Sequence, residues 1–179
     1  MAELIRDPQA MSRATCEIRQ KLGQGRVTIT NADLGDLPYL RMVIKETLRL
    51  RPAAPLILRA SQENCRIMGY DIPKGSPVFI NTFAVARDPK YWDKADEFRP
   101  ERFEEGVSKA SKDAPAFFPF GWGPRICVGQ NFALLEAKMG LTMILQHFLF
   151  ELSPSYTHAP CAISTLQPQY GAQIKLKKL

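Results

Sequence analysis

Histidine is scarce: His147 and His158 are the only two in 179 residues, too few for a histidine-based metal cluster. The four cysteines, Cys16, Cys65, Cys127 and Cys161, stand far apart, with no CxxC and no CxxCH. That spacing leaves out the usual signatures of a disulfide framework, a cysteine-rich zinc site and a covalent c-type haem attachment. The reducing cytosol is then the default compartment. No run of about 18 apolar residues exists, and no basic-then-apolar pattern opens the chain, so it is expected neither to span nor to enter a membrane. Dense Lys/Arg runs are also missing before the short tail Lys175 to Lys178. A net charge of +6 therefore argues for no nucleic-acid partner; it suits an acidic protein or an anionic surface.

What is present is apolar surface. With 45% hydrophobic residues, including 10 Phe, 5 Tyr and 2 Trp, the chain can bury a core and is not disordered. "MAELIR" reads as the end of a helix whose beginning is missing, so the chain is expected to start inside an element. A helix is predicted from Asp7-Pro8 to Gly23, with Met11, Ala14, Ile18 and Leu22 on one face. A second runs from Pro38 to about Leu50, where Pro52 forbids extension. From Ala54 to Pro89, short apolar runs broken by Gly and Pro predict three or four strands, with a turn near Asp71 to Gly75. Lys90 to Asp113 is polar and loop-like, with Trp92, Phe98 and Phe103 as packing anchors. A long helix is expected from Gln130 to about Phe150, placing Phe132, Leu135, Met139 and Met143 on one face. "FELS" and "AQIKLKK" suit two final strands. The fold class is α+β, mainly helical, with small sheets.

Two groups of residues carry chemistry. Glu46 and Arg49, in "KETLRL", lie three apart and face one side of their helix. They form either a surface pair worth less than about 1 kcal/mol or a buried pair whose disruption costs about 3–5 kcal/mol. "FRPERF" supplies Arg99 and Arg102 to a buried network, flanked by Phe98 and Phe103. The second group surrounds Cys127 in "FFPFGWGPRICVGQNFALLEAKMG". A free cysteine is often a small buried hydrophobe. Against that reading, Gly121, Gly123 and Gly129 allow positive φ and close approach to a flat object. The following helix offers free N–H groups and its dipole to a negative sulfur. Arg125 adds a cation able to grip a carboxylate.

These residues resemble the cytochrome P450 family. "FGWGPRICVG" matches its F-x-x-G-x-R-x-C-x-G signature at Phe120, Gly123, Arg125, Cys127 and Gly129; "ETLR" matches its E-x-x-R helix and "PERF" its companion arginine segment. The resemblance covers essentially all of residues 1–179 and is to plant enzymes, the first hundred residues suggesting one subgroup and the Cys-loop end another. It implies a partial domain, the C-terminal portion of the P450 fold, with small sheets and a haem-binding Cys loop followed by a long helix.

By matched position, Cys127 resembles the thiolate ligand of haem b, a non-covalent iron protoporphyrin IX. Arg125 and Arg59 match residues that pair with haem propionates, and Phe120 matches one that shields the sulfur. Gly123 and Gly129 belong to the same cofactor-binding loop. Glu46, Arg49 and Arg102 resemble the family's structural triad. Ala53 to Leu58 resembles a substrate-lining segment, though apolar strand packing explains it equally. His147 and His158 match no catalytic position.

The implied reaction is oxygen insertion into a small apolar organic molecule, with electrons from NADPH-cytochrome P450 reductase. Lys109, Lys112, Arg125 and Lys138 would suit that acidic partner, or are simply solvated charge. For the full-length family the resemblance implies the cytosolic face of the endoplasmic reticulum membrane; this chain alone reads as cytosolic. The oxygen-activating acid–alcohol pair is not matched, so a non-catalytic haem-binding fragment or pseudogene product is the alternative. A haem-thiolate rearranging a peroxide is a third reading, disfavoured by the regular Cys loop.

Overall fold

Helices form here where apolar residues recur at helical spacing behind a start signal. The computed structural model describes residues 1–23, 26, 28–112 and 115–179. A short helix α1, Ala2–Arg6, ends at Asp7, whose carboxylate accepts the Ala10 N–H at 2.9 Å and so caps α2, Pro8–Leu22. Ala10, Ala14, Ile18 and Leu22 form the buried stripe of α2, and Gly23 ends it with φ at +74°. Helix α3, Asn31–Gly35, was not expected. Its signal is a capping box: Asp33 N–H donates to the Thr30 hydroxyl, and Thr30 N–H to the Asp33 carboxylate at 2.7 Å.

Helix α4, Pro38–Leu50, has no cap from its own N-cap residue. Glu17 of α2 does that work, accepting the N–H groups of Tyr39 and Leu40 at 2.7 and 2.9 Å. This carboxylate therefore docks two helices while satisfying orphan donors. The main core joins α1, α2 and α4 through Leu4, Ala14, Ile18, Leu40 and Val43.

Between Ala54 and Pro89 four strands form, in two antiparallel pairs. β1, Leu56–Ala60, pairs with β4, Pro77–Asn81, placing Leu58 opposite Phe79. β2, Cys65–Ile67, pairs with β3, Tyr70–Ile72. Gly75, at φ +84°, makes the turn that leads into β4. The apolar run after β4 is helical instead of extended: α5, Thr82–Val85, starts where the Asn81 side chain accepts the Ala84 N–H.

The polar stretch from Lys90 contains a 3-10 turn, Pro100–Phe103, and a short helix α6, Val107–Ala110. Its expected end, Asp113, lies outside the described residues. Trp92 and Phe103 are buried in a second small core, and Phe98 packs partly against the first. The Trp92 indole N–H donates to the Val85 carbonyl at 3.1 Å, so this buried tryptophan keeps its polar end satisfied.

The last helix, α7, Gln130–His147, is shorter than expected. Phe148–Leu152 is β5, paired antiparallel with β8, Ile174–Lys178. Alternation decides the switch: Phe150 enters the core while Leu149 and Glu151 point out. A further hairpin, β6, Pro160–Ala162, and β7, Leu166–Pro168, lies between them. On α7 the buried residues are Thr142, Leu145 and Gln146, whereas Phe132, Leu135 and Met143 face solvent. The fold is thus α+β, with helices and two-stranded sheets alternating in groups along the chain. Among the described residues, no helix is long and apolar enough to cross a membrane.

Candidate functional site

Glu46 and Arg49 are buried, with exposures of 0% and 1%, so they are no surface pair. Two oxygens of one carboxylate hold three arginines. Arg49 Nε and Nη2 donate to Oε2 and Oε1 at 2.8 and 2.9 Å, and Arg102 Nε donates to Oε1 at 3.0 Å. The backbone N–H of Arg99 adds a bond of 2.8 Å to Oε1. The remaining Arg49 donors reach the carbonyls of Ala86, Ala95 and Glu97 at 2.6, 2.7 and 3.1 Å. Arg102 likewise reaches Asp93 and Lys94. Both guanidinium carbons lie over the Trp92 ring, at 5.1 and 5.9 Å. Desolvation of these charges is thereby offset by bonds to nearly every donor. The part of Trp92 in this network was not read from the sequence; a tryptophan seven residues before Arg99 was the available signal.

The loop leading to α7 is closed by its own backbone. Gly121 N–H donates to Phe118, Ile126 to Gly123 and Cys127 to Phe120, at 2.9, 3.1 and 2.9 Å. Gly121 and Gly123 take φ of +83° and +74°, which favours glycine. Gly129 does not: it sits at φ −85° as the N-cap of α7, and a Cβ there would meet Cys127 Sγ at 3.8 Å. The expectation of positive φ is corrected at that position. Cys127 is exposed, two residues before the N-cap residue ends and α7 begins, so it is no buried hydrophobe. Its surroundings are apolar and open: Ile126, Val128 and Phe132 are exposed, Val128 completely.

Arg59, on β1, reaches this loop. A Cβ built on Gly121 would lie 3.7 Å from Arg59 Nη2 and 3.6 Å from the Arg125 carbonyl. The Arg125 side chain is exposed and has no hydrogen-bond or ion-pair partner among the described residues. Phe120 is half-buried beside the loop. Arg59, Phe120, Gly123, Arg125, Cys127 and Gly129 thus belong to one neighbourhood, while Glu46, Arg49 and Arg102 form a separate network behind it.

The donor set discriminates between cofactors. Among the described residues no group of three or more His, Cys, Asp or Glu side chains could hold a metal. A lone accessible sulfur suits a metal that brings its own in-plane donors, and exposed apolar side chains beside it suit a macrocycle. Two arginines at the loop suit carboxylates at the macrocycle's edge. The residues present therefore fit haem.

The remaining candidates divide. Lys109 pairs with Glu105 at 2.8 Å, and Lys112 donates to the Pro89 carbonyl at 3.0 Å. Lys138 has burial and Arg41 acting on it, which hold its ammonium group below the usual lysine range. His147 caps its own helix by contact with the Met143 carbonyl. His158 lies 2.8 Å from Arg51 Nη2 and 2.7 Å from the Tyr156 hydroxyl, away from Cys127. Leu56 and Leu58 are exposed on β1, and Ala53 accepts the Leu166 N–H at 2.8 Å.

Known proteins match the sequence along nearly all of its length. The family model described as Cytochrome P450 matches residues 1–176. Among curated relatives, Cytochrome P450 72A397 of Kalopanax septemlobus is 47% identical over 173 residues, covering 96% of this chain and 33% of the relative. An 11-oxo-beta-amyrin 30-oxidase of Medicago truncatula is 43% identical over 180 residues, covering 100% and 34%. Secologanin synthase 2 of Catharanthus roseus is 42% identical over 177 residues, covering 98% and 33%. The chain spans about a third of the length of these relatives. With the glycine-bracketed cysteine loop, the buried Glu–Arg–Arg network and these matches together, the chain belongs to the cytochrome P450 family, on its plant side.

Proposed function

We propose that residues 1–179 form the C-terminal portion of a P450 domain, the part of a haem-thiolate monooxygenase that carries haem b through Cys127. The observation behind this reading is the exposed Cys127 thiol on a backbone-closed loop at the start of α7. When bound, haem supplies the iron at which oxygen is activated and one atom passed to a small apolar organic substrate. Cys127 serves as the thiolate ligand, donating charge to the metal. Cys127 sits just before the N-terminal end of α7, whose dipole attracts an anionic ligand. Arg125 and Arg59 grip the propionate carboxylates, and Phe120 keeps water from the sulfur. Gly123 and Gly129 leave the loop free of side chains where the cofactor approaches. Glu46, Arg49 and Arg102 brace the segment before the loop.

Electrons come from NADPH-cytochrome P450 reductase, whose acidic surface meets cations on this side of the protein, including Lys138 and Arg125. In the full-length protein this takes place at the cytosolic face of the endoplasmic reticulum. The test is spectroscopic. Reduced, haem-loaded protein under carbon monoxide should show the strongly red-shifted Soret band of thiolate ligation, and Cys127→Ser should lack it. Identical spectra for the two proteins would remove Cys127 from the metal.

A second reading is favoured by the bare apolar rim of Ile126, Val128 and Phe132. In that reading the chain by itself is a non-catalytic haem-binding fragment. Product formed above a no-enzyme blank, with reductase and NADPH supplied, would refute it.

A further inference from the structure

Arg41 and Lys45 stand one turn apart on α4, and Lys138 of α7 is near enough to act on Lys45 electrostatically. None of the three is paired with a carboxylate among the described residues. Burial, then the Arg41 charge, hold both lysines below the ordinary lysine range, and Lys138 adds to the effect on Lys45. Three clustered cations without a counter-charge repel one another, and an anion placed among them relieves that repulsion.

Lys45 also lines a cavity of about 200 Å³, whose walls include Phe117, Phe120, Trp122 and Leu134. An apolar cavity of about 150 Å³ is enough to take up benzene. There is room, then, for one ring carrying a small substituent. The Lys45 ammonium lies 5.8 Å from the Phe103 ring, so its charge sits at an aromatic border. An acidic protein surface would need the cations but not a ring-sized aromatic recess beside them.

We propose that this cavity binds a small single-ring aromatic carboxylate, its ring against the aromatic walls and its carboxylate at Lys45, where Arg41 and Lys138 add to the positive field. The cavity shares Phe120 and Ile126 with the Cys127 loop, but its cationic end is Lys45 of α4, away from the thiol in sequence. Because it occupies cations on the side assigned to the redox partner, a bound aromatic acid would compete with that partner.

The experiment is calorimetric titration of the full chain with benzoate, benzamide, inorganic phosphate and a Glu-rich peptide at fixed ionic strength. Benzoate should bind saturably, and benzamide about tenfold more weakly or worse, since a charge-assisted contact is lost. Lys45→Gln and Arg41→Gln should each weaken benzoate on the order of tenfold with unchanged circular dichroism. Arg41 is exposed, so its variant keeps the test alive if Lys45→Gln fails to fold. Lys177→Gln, on β8, should leave affinity unaltered. Equal binding of benzamide and benzoate would overturn the proposal, as would phosphate binding as tightly as benzoate. Binding of the acidic peptide alone would reassign the surface to a protein partner and also refute it. The carbon monoxide spectrum is a separate readout, so loss of benzoate binding in a protein that keeps its Soret band sinks this inference only.

Discussion

Replacing Glu46 with alanine removes the acceptor for Arg49 Nε, Arg49 Nη2, Arg102 Nε and the Arg99 N–H in one step. Arg49 stays at 1% exposure with its charge unmatched, since the carbonyls it also touches are neutral. Breaking a buried pair in this way costs about 3–5 kcal/mol. Whole domains are stable by only about 5–15 kcal/mol, so about a fifth or more of the total is at stake. For a chain of this size, about 1 kcal/mol lowers Tm by roughly 2–4 °C, which gives a fall of about 6–20 °C. Thermal melts followed by far-ultraviolet circular dichroism measure it. Trp92 emission provides a second probe, because Arg49 and Arg102 sit over that ring and should release it together. Glu46→Gln, which keeps one carbonyl acceptor, should fall between wild type and alanine. A Glu46→Ala protein melting within about 2 °C of wild type would show that the network carries little stability, and the reasoning would fail.

Trp92→Ala, at a fully buried site that also holds the Val85 carbonyl, should lose about 3–5 kcal/mol in urea titrations. Gly121→Ala forces a side chain to φ +83°, costing about 1–2 kcal/mol, and brings its methyl against Arg59; denaturant midpoints should drop accordingly. Burial first, then Arg6 and Arg51, lower the His158 pKa below its ordinary 6.5, while Glu3 opposes them. The unfolded chain then binds the proton more readily, so this stabilisation is present above pH 6.5 and is lost as pH falls through the lowered folded value. His158→Gln should flatten that slope in melts between pH 7 and 5, and an unchanged slope would exclude the histidine.

Helices with a complete signal were legible before any coordinates. Asp7-Pro8 and Gly23 bracket α2, and Pro38 and Pro52 bracket α4, because caps and prolines act locally. The 3-10 turn at "PERF" and helix α5 were not legible, since short segments owe their form to what they pack on. The end of α7 was misplaced because "FLF" continues an apolar pattern in either period, and only the partner β8 decides between them. At the candidate site, the spacing of Gly121, Gly123, Arg125 and Cys127 marked the loop. Arg59 was joined to this loop only through the family resemblance, since spacing alone cannot show a tertiary neighbour on β1. The Arg41, Lys45 and Lys138 cluster escaped for the same reason: its members lie on two helices.

One guanidinium bridging the carbonyls of residues 86, 95 and 97 has an evolutionary corollary. The segment from 87 to 94 is drawn to a fixed span, as if threaded between pegs. Apart from the buried Trp92, side chains along it are free to diverge, whereas an insertion or deletion there would slip the carbonyls out of reach and unseat a charge far from the altered residue.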